Sequence, residues 1–536
     1  MNYFLILFFA FVLIGCSSSG INDRASLREL IRAGNIDGAI SFIENNSFFN
    51  DEQNRYLKNL ELGMAYHLKG VPSMAIYHLN QAKEIDDAMF TVSISNQLKA
   101  AITNDLSKNY QGDIYERSAM YFYLALNRAI LSQSDESIFS DVESESGFST
   151  RSLSRDEKSA YLYAARATVV SWDSFMENVR RDAKLEVFQH DLLAKLGGGF
   201  IHEMIGTRND RQTAIYLYEQ ALKILPSFYA PYESINKLAK EFKKSFYKGK
   251  RDSSFISLTD EATSLKSFIK MKIRHLKKSS SKKHNLMIVW EEGLMGEKKP
   301  KREYYSIARA LAGPDSTPEQ KRAARMGASL ITLFASSALG LLPPPSYYSP
   351  VGMEFGVRLG LAAATELAIG FDVPVIEKVD PLFPAEVSFH AEDGSEVLRT
   401  PLHIANPLNE VAQASTSFHS ARRAVSLGAR LAWKHILAIT AAISTYKSMK
   451  KNNAEFLAKQ IAVFQYMASA KLIAESEAAD TRYWSTLPQN IRLSHVHLPA
   501  GTYSIKIHEH VTMGGTSTFG PVVIKENQKN IFKVRL

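Results

Sequence analysis

Along the first half of the chain, apolar positions recur at three- and four-residue intervals, the spacing of helices that bury one face. Asp23 to Asn46 reads as a helical hairpin, with Leu27, Leu30 and Ile31 on one arm and Ala39, Ile40 and Ile43 on the other. Ile114 to Ser132 and Arg155 to Leu196 carry the same pattern. A longer order is laid over it: Leu62, Gly63, Tyr66, Ala75, Leu79 and Ala82 stand at offsets 0, 1, 4, 13, 17 and 20, with Gly70 and Pro72 as the turn. Small residues at such offsets let paired helices approach, and the larger ones fill the space between them. Ala214, Tyr218, Ala221 and Pro226 repeat the second half of the arrangement, the proline terminating its helix, whereas the helix before it, Gly199 to Ile205, fits poorly.

That order of residues is the one a tetratricopeptide (TPR) repeat needs, with a period of about 34 residues. It predicts a TPR-like α-solenoid of five or six hairpins over residues 23–250, with an irregular helical bundle as the alternative. Stacks of this kind offer a concave groove to a peptide or another protein, so this half is expected to bind an unknown protein partner through the helical-repeat groove.

Beyond residue 250 the pattern changes. A basic helical linker is expected over 251–284, and a mixed region over 285–384. Asn285 to Trp290 reads as a buried strand with Glu291-Glu292-Gly293 as its turn, while the charge-free stretch Met326 to Leu342 and the segment Gly356 to Phe371 read as apolar helices, best explained as a buried hairpin. Docking of these helices on a membrane surface or partner is the second reading. Glu386 to Ala391, Ile491 to Leu498, Thr502 to His508, Pro521 to Lys525 and Ile531 to Leu536 have strand character, and Asp393-Gly394, Ala500-Gly501 and Glu526-Asn527 supply turns. They suit a small antiparallel β-sandwich over 385–536 that carries a helical insertion at about 410–478, with Trp484 packing where the insertion rejoins the sheet. The expected fold class is therefore multidomain and mainly α: an N-terminal TPR-like α-solenoid followed by this sandwich.

Tyr3 to Ile14 is an almost unbroken apolar stretch, long enough for a signal-peptide core and short of the roughly 20 residues a bilayer span requires. It ends in Leu13-Ile14-Gly15-Cys16, followed by Ser17-Ser18-Ser19-Gly20, and resembles a bacterial lipoprotein box. The resemblance implies a signal peptide over 1–15, lipidation of Cys16, the only cysteine, and a tether over 16–22. Several acyl chains on one residue, at ~0.8 kcal/mol per buried CH2, are enough for stable anchoring. Ser17 after the cysteine resembles lipoproteins sorted to the outer membrane, so a periplasm-facing outer-membrane lipid anchor is expected. No Lys or Arg precedes the apolar core, a departure from the usual leader.

Gly112-Asp113-Ile114-Tyr115-Glu116-Arg117 and Tyr123-Leu124-Ala125-Leu126-Asn127, together with Arg482-Tyr483-Trp484-Ser485-Thr486-Leu487-Pro488 and Leu498-Pro499-Ala500-Gly501-Thr502-Tyr503, resemble a family of uncharacterised Gram-negative lipoproteins with TPR-like repeats. The resemblance implies an architecture and an envelope location, and brings no known reaction. Read physically, Gly112 and Asp113 suit a helix start, and Glu116 with Arg117 an exposed charge pair or packing contact rather than a binding pair.

Composition narrows the chemistry. The 536 residues are 45% hydrophobic and 22% charged, as in ordinary globular proteins, and the net charge of +9 is modest for this length. Together with the export signal it disfavours nucleic acid as a partner. One cysteine excludes an intrachain disulfide and a multi-cysteine zinc site. Lys270, Lys272, Arg274, Lys277, Lys278, Lys282 and Lys283, then Lys298, Lys299, Lys301 and Arg302, form basic clusters. They read as a solvated helix end and linker, or as charges near anionic headgroups. Glu291 and Glu292 would point to opposite faces of one strand. If Ala500-Gly501 were a two-residue turn, His497 would face Ser504 and His495 would face Lys506, with His508 and His510 on that same side. The four are weak metal candidates, because neighbours on such a hairpin bring two ligands together where three or four are needed. No Gly-x-Ser-x-Gly elbow, phosphate loop or His-Glu-x-x-His occurs, and Gly197-Gly198-Gly199 reads as a helix break. The expectation is a non-enzymatic envelope scaffold or assembly factor without a cofactor. The alternatives are an envelope hydrolase or metal enzyme using the histidine hairpin, and a regulator of cell-wall synthesis.

Overall fold

In a computed structural model of the protein, the described residues are 20–96, 109–140, 148–182, 187–230, 232, 261–278, 284–306, 368–379, 385–420, 479–509, 515–526 and 528–535, with scattered positions between 441 and 469. The leader with Cys16, the stretch Met326 to Leu342, most of Gly356 to Phe371, most of the helical insertion and His510 lie outside them. The described structure is mainly helical, 57% helix and 23% strand, with several small sheets.

Four helix pairs follow one another: α1 (Ile21–Arg32) with α2 (Ile36–Asn45), α3 (Arg55–Lys69) with α4 (Pro72–Asn96), α5 (Ile114–Leu131) with α6 (Arg155–Asp182), and α7 (Leu192–Ile205) with α8 (Arg208–Ile224). In the α3–α4 pair, Gly70 takes the left-handed conformation at φ 79° and Pro72 opens the next helix. Ala75 and Ala82 are fully buried, and a Cβ on Gly63 would stand 2.7 Å from the Leu79 side chain, so this glycine sets how closely the two helices pack. Leu62, Tyr66, Ala214, Tyr218 and Ala221 are buried as well.

The last pair departs from expectation in two ways. The triple glycine does not break a helix: α7 starts at Leu192, capped by Asp191, and runs through all three. Added Cβ atoms would lie 2.7 Å from Val169 at Gly198 and 2.7 Å from the Tyr218 ring at Gly199, so these glycines serve close helix approach. Nor does Pro226 end the coil. The chain continues without a break into a wider turn, Leu225–Tyr229, and Pro226 itself is exposed.

A two-stranded ribbon, β1 (Glu136–Ser140) with β2 (Phe148–Ser152), sits between α5 and α6. The expected basic helical linker contains α9 (Glu261–Lys277), which packs on α8 and buries Leu265, Phe268, Ile269 and Ile273. Lys272 is 1% exposed, so the linker reading fails for it. The second basic group lies on β4 (Lys298–Ser306), paired antiparallel with β5 (Ala368–Ile376); residues 368–371, expected to end a helix, are strand.

The other strands are β3 (Leu286–Glu292), β6 (Ala385–His390), β7 (Glu396–Pro401), β8 (His403–Asn406), β9 (Asn490–Val496), β10 (Gly501–Glu509), β11 (Gly515–Ile524) and β12 (Asn530–Arg535). They form two four-stranded sheets, in the orders β12-β3-β9-β8 and β11-β10-β6-β7. Two expectations are corrected. β12 and β3 are parallel, so the strands are not all antiparallel. β9 and β10 are not a hairpin: β9 pairs with β3 and β8, β10 with β11 and β6, and the chain crosses from one sheet to the other around His497 to Ala500.

β3 explains that crossing. Leu286, Ile288 and Trp290 join Val387, Phe389, Ile505 and Ile507 of the other sheet in one apolar cluster, whereas Met287 and Val289 join the core of the helix pairs. A strand covered on both faces reads as a continuous apolar run rather than an alternating one. The helical core also takes in Ile404, Ala405, Trp484, Leu487, Ile491 and Leu493, so it is shared by both halves of the chain.

Candidate functional site: a strap held across the first helices

The first helix of each pair turns toward the chain's own C-terminal part. Residues 479–489, which carry the Arg482 to Pro488 motif, run across α1, α3 and α5 as a strap with a turn at Ser485 and Thr486, gripped mainly by its backbone. On α3, the Glu61 carboxylate accepts the Ser485 N–H at 2.6 Å and its hydroxyl at 2.7 Å, with the Thr486 hydroxyl on the second oxygen. From α5, Glu116 accepts the Trp484 N–H at 2.7 Å. On α1, Arg24 donates to the Thr481 carbonyl and Arg28 to that of Ser485, each at 2.9 Å. Arg535 reaches the Thr486 carbonyl at 2.6 Å. Side chains lock the rest. Arg482 spans Asp480 and Asn54, the Tyr483 ring lies over Arg24 with 5.3 Å to its centroid, and Trp484 meets Tyr123 edge-on at 5.8 Å.

Glu116 is not half of an exposed charge pair. It is fully buried, and its other oxygen accepts the Tyr110 hydroxyl at 2.5 Å and the Asp113 N–H at 2.7 Å, closing the start of α5. Arg117 points elsewhere, into a two-pronged contact with Asp86 at 2.7 and 2.9 Å. Burial, reinforced by Asp113, pushes the Glu116 carboxyl up to about 7. Burial also raises Glu61, against the pull of its Thr486 and Ser485 donors.

Farther along, arginine and lysine side chains stand beside buried carboxylates. His67 of α3 bridges Asn127 of α5 at 2.9 Å and Glu291 of β3 at 2.8 Å. Burial would raise Glu291, but His67, Arg535 and Lys533 outweigh it and hold the carboxyl at about 2. Glu203 of α7 meets Lys272 of α9 at 2.6 Å, Lys529 at 3.1 Å and the Tyr218 hydroxyl at 2.6 Å. Here too burial opposes ionisation, and the two lysines bring Glu203 down to about 2. As expected, Glu291 and Glu292 face opposite ways: Glu292 pairs with Arg492 at 2.9 Å.

The three described members of the histidine set, His495, His497 and His508, are not gathered on one face. His495 is 2% exposed and packs among Phe200, Phe268 and Tyr218, with neither ring nitrogen hydrogen-bonded among the described residues; burial drives its pKa well below the usual range. His497 sits in the crossover. His508 instead joins His390: both Nε2 atoms approach the Ser388 hydroxyl, at 2.7 and 2.9 Å. One hydroxyl proton serves one of these contacts and the serine oxygen accepts in the other. No group of three or more His, Cys, Asp or Glu suited to a metal ion occurs among the described residues.

Sequence reasoning marked the strap motif and Glu116, and missed Arg24, Arg28, Glu61, His67 and Glu203. A signal existed: Glu61 stands between Leu60 and Leu62, and Glu203 follows Phe200-Ile201-His202, each a carboxylate set among residues that a helix buries. No helix among the described residues is long and apolar enough to cross a membrane. Comparison with protein-family models, curated proteins and solved structures found no match for this chain.

Proposed function

We propose that the protein is a non-enzymatic scaffold of the bacterial envelope, anchored by lipidated Cys16 at the periplasmic face of the outer membrane and acting by holding a protein partner. In this reading the four helix pairs are a short TPR-like solenoid, and the two four-stranded sheets are the layers of a sandwich seated against it. The observation that carries the reading is where apolar surface remains. The first helices are covered by the strap and the sheet, so a partner would dock on the second helices instead. There Tyr163 and Val170 of α6 and Tyr216 of α8 are 49%, 57% and 55% exposed. Exposed aromatic side chains of this kind are the usual anchors of protein interfaces.

The tether supports a mounted body. Gly20 is already buried against Phe48, leaving Ser17, Ser18 and Ser19 between it and Cys16, four Cα steps with a reach of ~14 Å. The test is a photo-crosslinking residue at Tyr163 or Tyr216 in cells: a discrete adduct is expected, and its absence from correctly localised protein would refute docking on this face. Cys16→Ala is expected to move the protein from the membrane to the soluble fraction, and unchanged membrane retention would refute the anchor.

A second reading, a hydrolase or metal enzyme, is favoured by Ser388 between His390 and His508. It requires that purified protein hold stoichiometric metal or show hydrolysis that is lost in His508→Ala.

A further inference from the structure

A cleft of about 400 Å³ opens between α2, α3 and α4. The His78 ring lines it, held by stacking on Tyr66 behind at 5.4 Å and 8°, with Nδ1 turned to Asn59 at 3.2 Å. Burial lowers the His78 pKa to about 4, so this ring is uncharged near neutral pH. Tyr77 stands at the rim, 50% exposed. The lining holds both acceptors and donors: Glu44 and Asp51 bring carboxylates, the latter also accepting the Gln53 N–H, Lys58 an ammonium that also donates to Asn50 at 2.5 Å, and Gln81 an amide that both donates and accepts. The side chains of Glu44 and Gln81 have no hydrogen-bond partner among the described residues.

The charges nearly balance, three carboxylates against two cations in the lining, with Glu52 and Arg55 3.6 Å apart. A strongly cationic ligand would meet Lys58 and Arg55, and an anionic one would meet Glu44 and Asp51. A ligand dense in hydroxyl groups meets neither penalty, because each hydroxyl can donate to a carboxylate and accept from the amine or amide. A ring with an apolar C–H face would also cover the exposed Tyr77 ring. The volume lies in the range of small-molecule sites, about 300–1,000 Å³.

We propose that this cleft binds a neutral polyhydroxylated ring, one or two sugar units of a glycan. The proposal is independent of the docking face on α6 and α8 and of the anchor, and stands or falls without them.

Saturation-transfer NMR on the intact protein, with chitotriose and maltotriose as probes, tests it. At least one of these neutral trisaccharides is expected to give saturable transfer, weakened at least tenfold in both Tyr77→Ala and Gln81→Ala. Both side chains lie at the surface, and an unchanged melting transition verifies that each variant is folded; Glu44→Gln serves as a third variant if either is not. No saturable transfer from either sugar overturns the proposal, as does transfer that survives the substitutions. Tighter binding of spermidine or citrate at a site sensitive to the same substitutions also overturns it, because the cleft would then select charge.

Discussion

Glu116 under the strap and Glu203 between Lys272 and Lys529 are both buried, yet their carboxyl groups lie on opposite sides of the ordinary range, at about 7 and about 2. Burial alone would raise both. Around Glu116 the donors are a phenol and two backbone N–H groups, and Asp113 adds a like charge, so desolvation prevails. Around Glu203 stand two ammonium groups, whose attraction in a poorly polarisable interior exceeds the desolvation cost. The two regions fasten the same two halves of the chain by different physics, one through hydrogen bonds from side chains to a backbone and the other through paired charge.

The largest expected effect breaks the charged region. Glu203→Gln leaves Lys272 and Lys529 facing an amide in the interior, and removing one partner of a buried pair costs ~3–5 kcal/mol. Denaturant unfolding at pH 7 measures it; a loss under ~1 kcal/mol would mean the lysines have another source of compensation.

The next concerns pH and has opposite signs in the two regions. The folded pKa of Glu116 lies above its unfolded value of 4.5. Its contribution is therefore fully present below that value and lost as pH rises through 7, by on the order of 3 kcal/mol. For Glu203, folded at about 2, the contribution is present above 4.5 and lost as pH falls toward 2. Glu116→Gln should thus become more stable relative to wild type between pH 5 and pH 8. The stability difference between the two proteins, followed across that window, checks this, and a flat difference would show that Glu116 does not titrate there.

The smallest effect calibrates both. Asp135 contacts Lys158 at 2.8 Å and Lys525 at 3.2 Å, with its side chain 75% exposed. Asp135→Ala is expected to change stability by no more than about 0.5 kcal/mol, which thermal unfolding in low and high salt can verify.

Much of the fold was legible locally, and little of the site was. The repeat offsets located Gly63, Ala75 and Ala82 at the contact of α3 with α4, because helix pairing across a short turn is a near-neighbour event. Glu61 takes its meaning from Ser485, 424 positions away, and Arg24 from Thr481, 457 positions away. No local period encodes such a partner. The histidine hairpin failed for a related reason: alternation along 491–498 and 502–508 tells which residues share a face of one strand, but does not say that the two strands belong to one sheet.

From the order of residues alone came some of the starts and stops of the elements, though not the expected breaks at Gly197 to Gly199 and Pro226. Gly112 and Asp113 open α5, and the unbroken run Leu286 to Trp290 announces a strand buried on both sides, since backbone geometry and side-chain period act over a few residues. Tertiary structure decided what those elements touch: that β3 lies between β12 and β9, that the strap covers the first helices, and that His495 is buried while His508 meets His390. These outcomes depend on closing loops of hundreds of residues and on filling one shared core, and both are set by the whole chain rather than by any stretch of it.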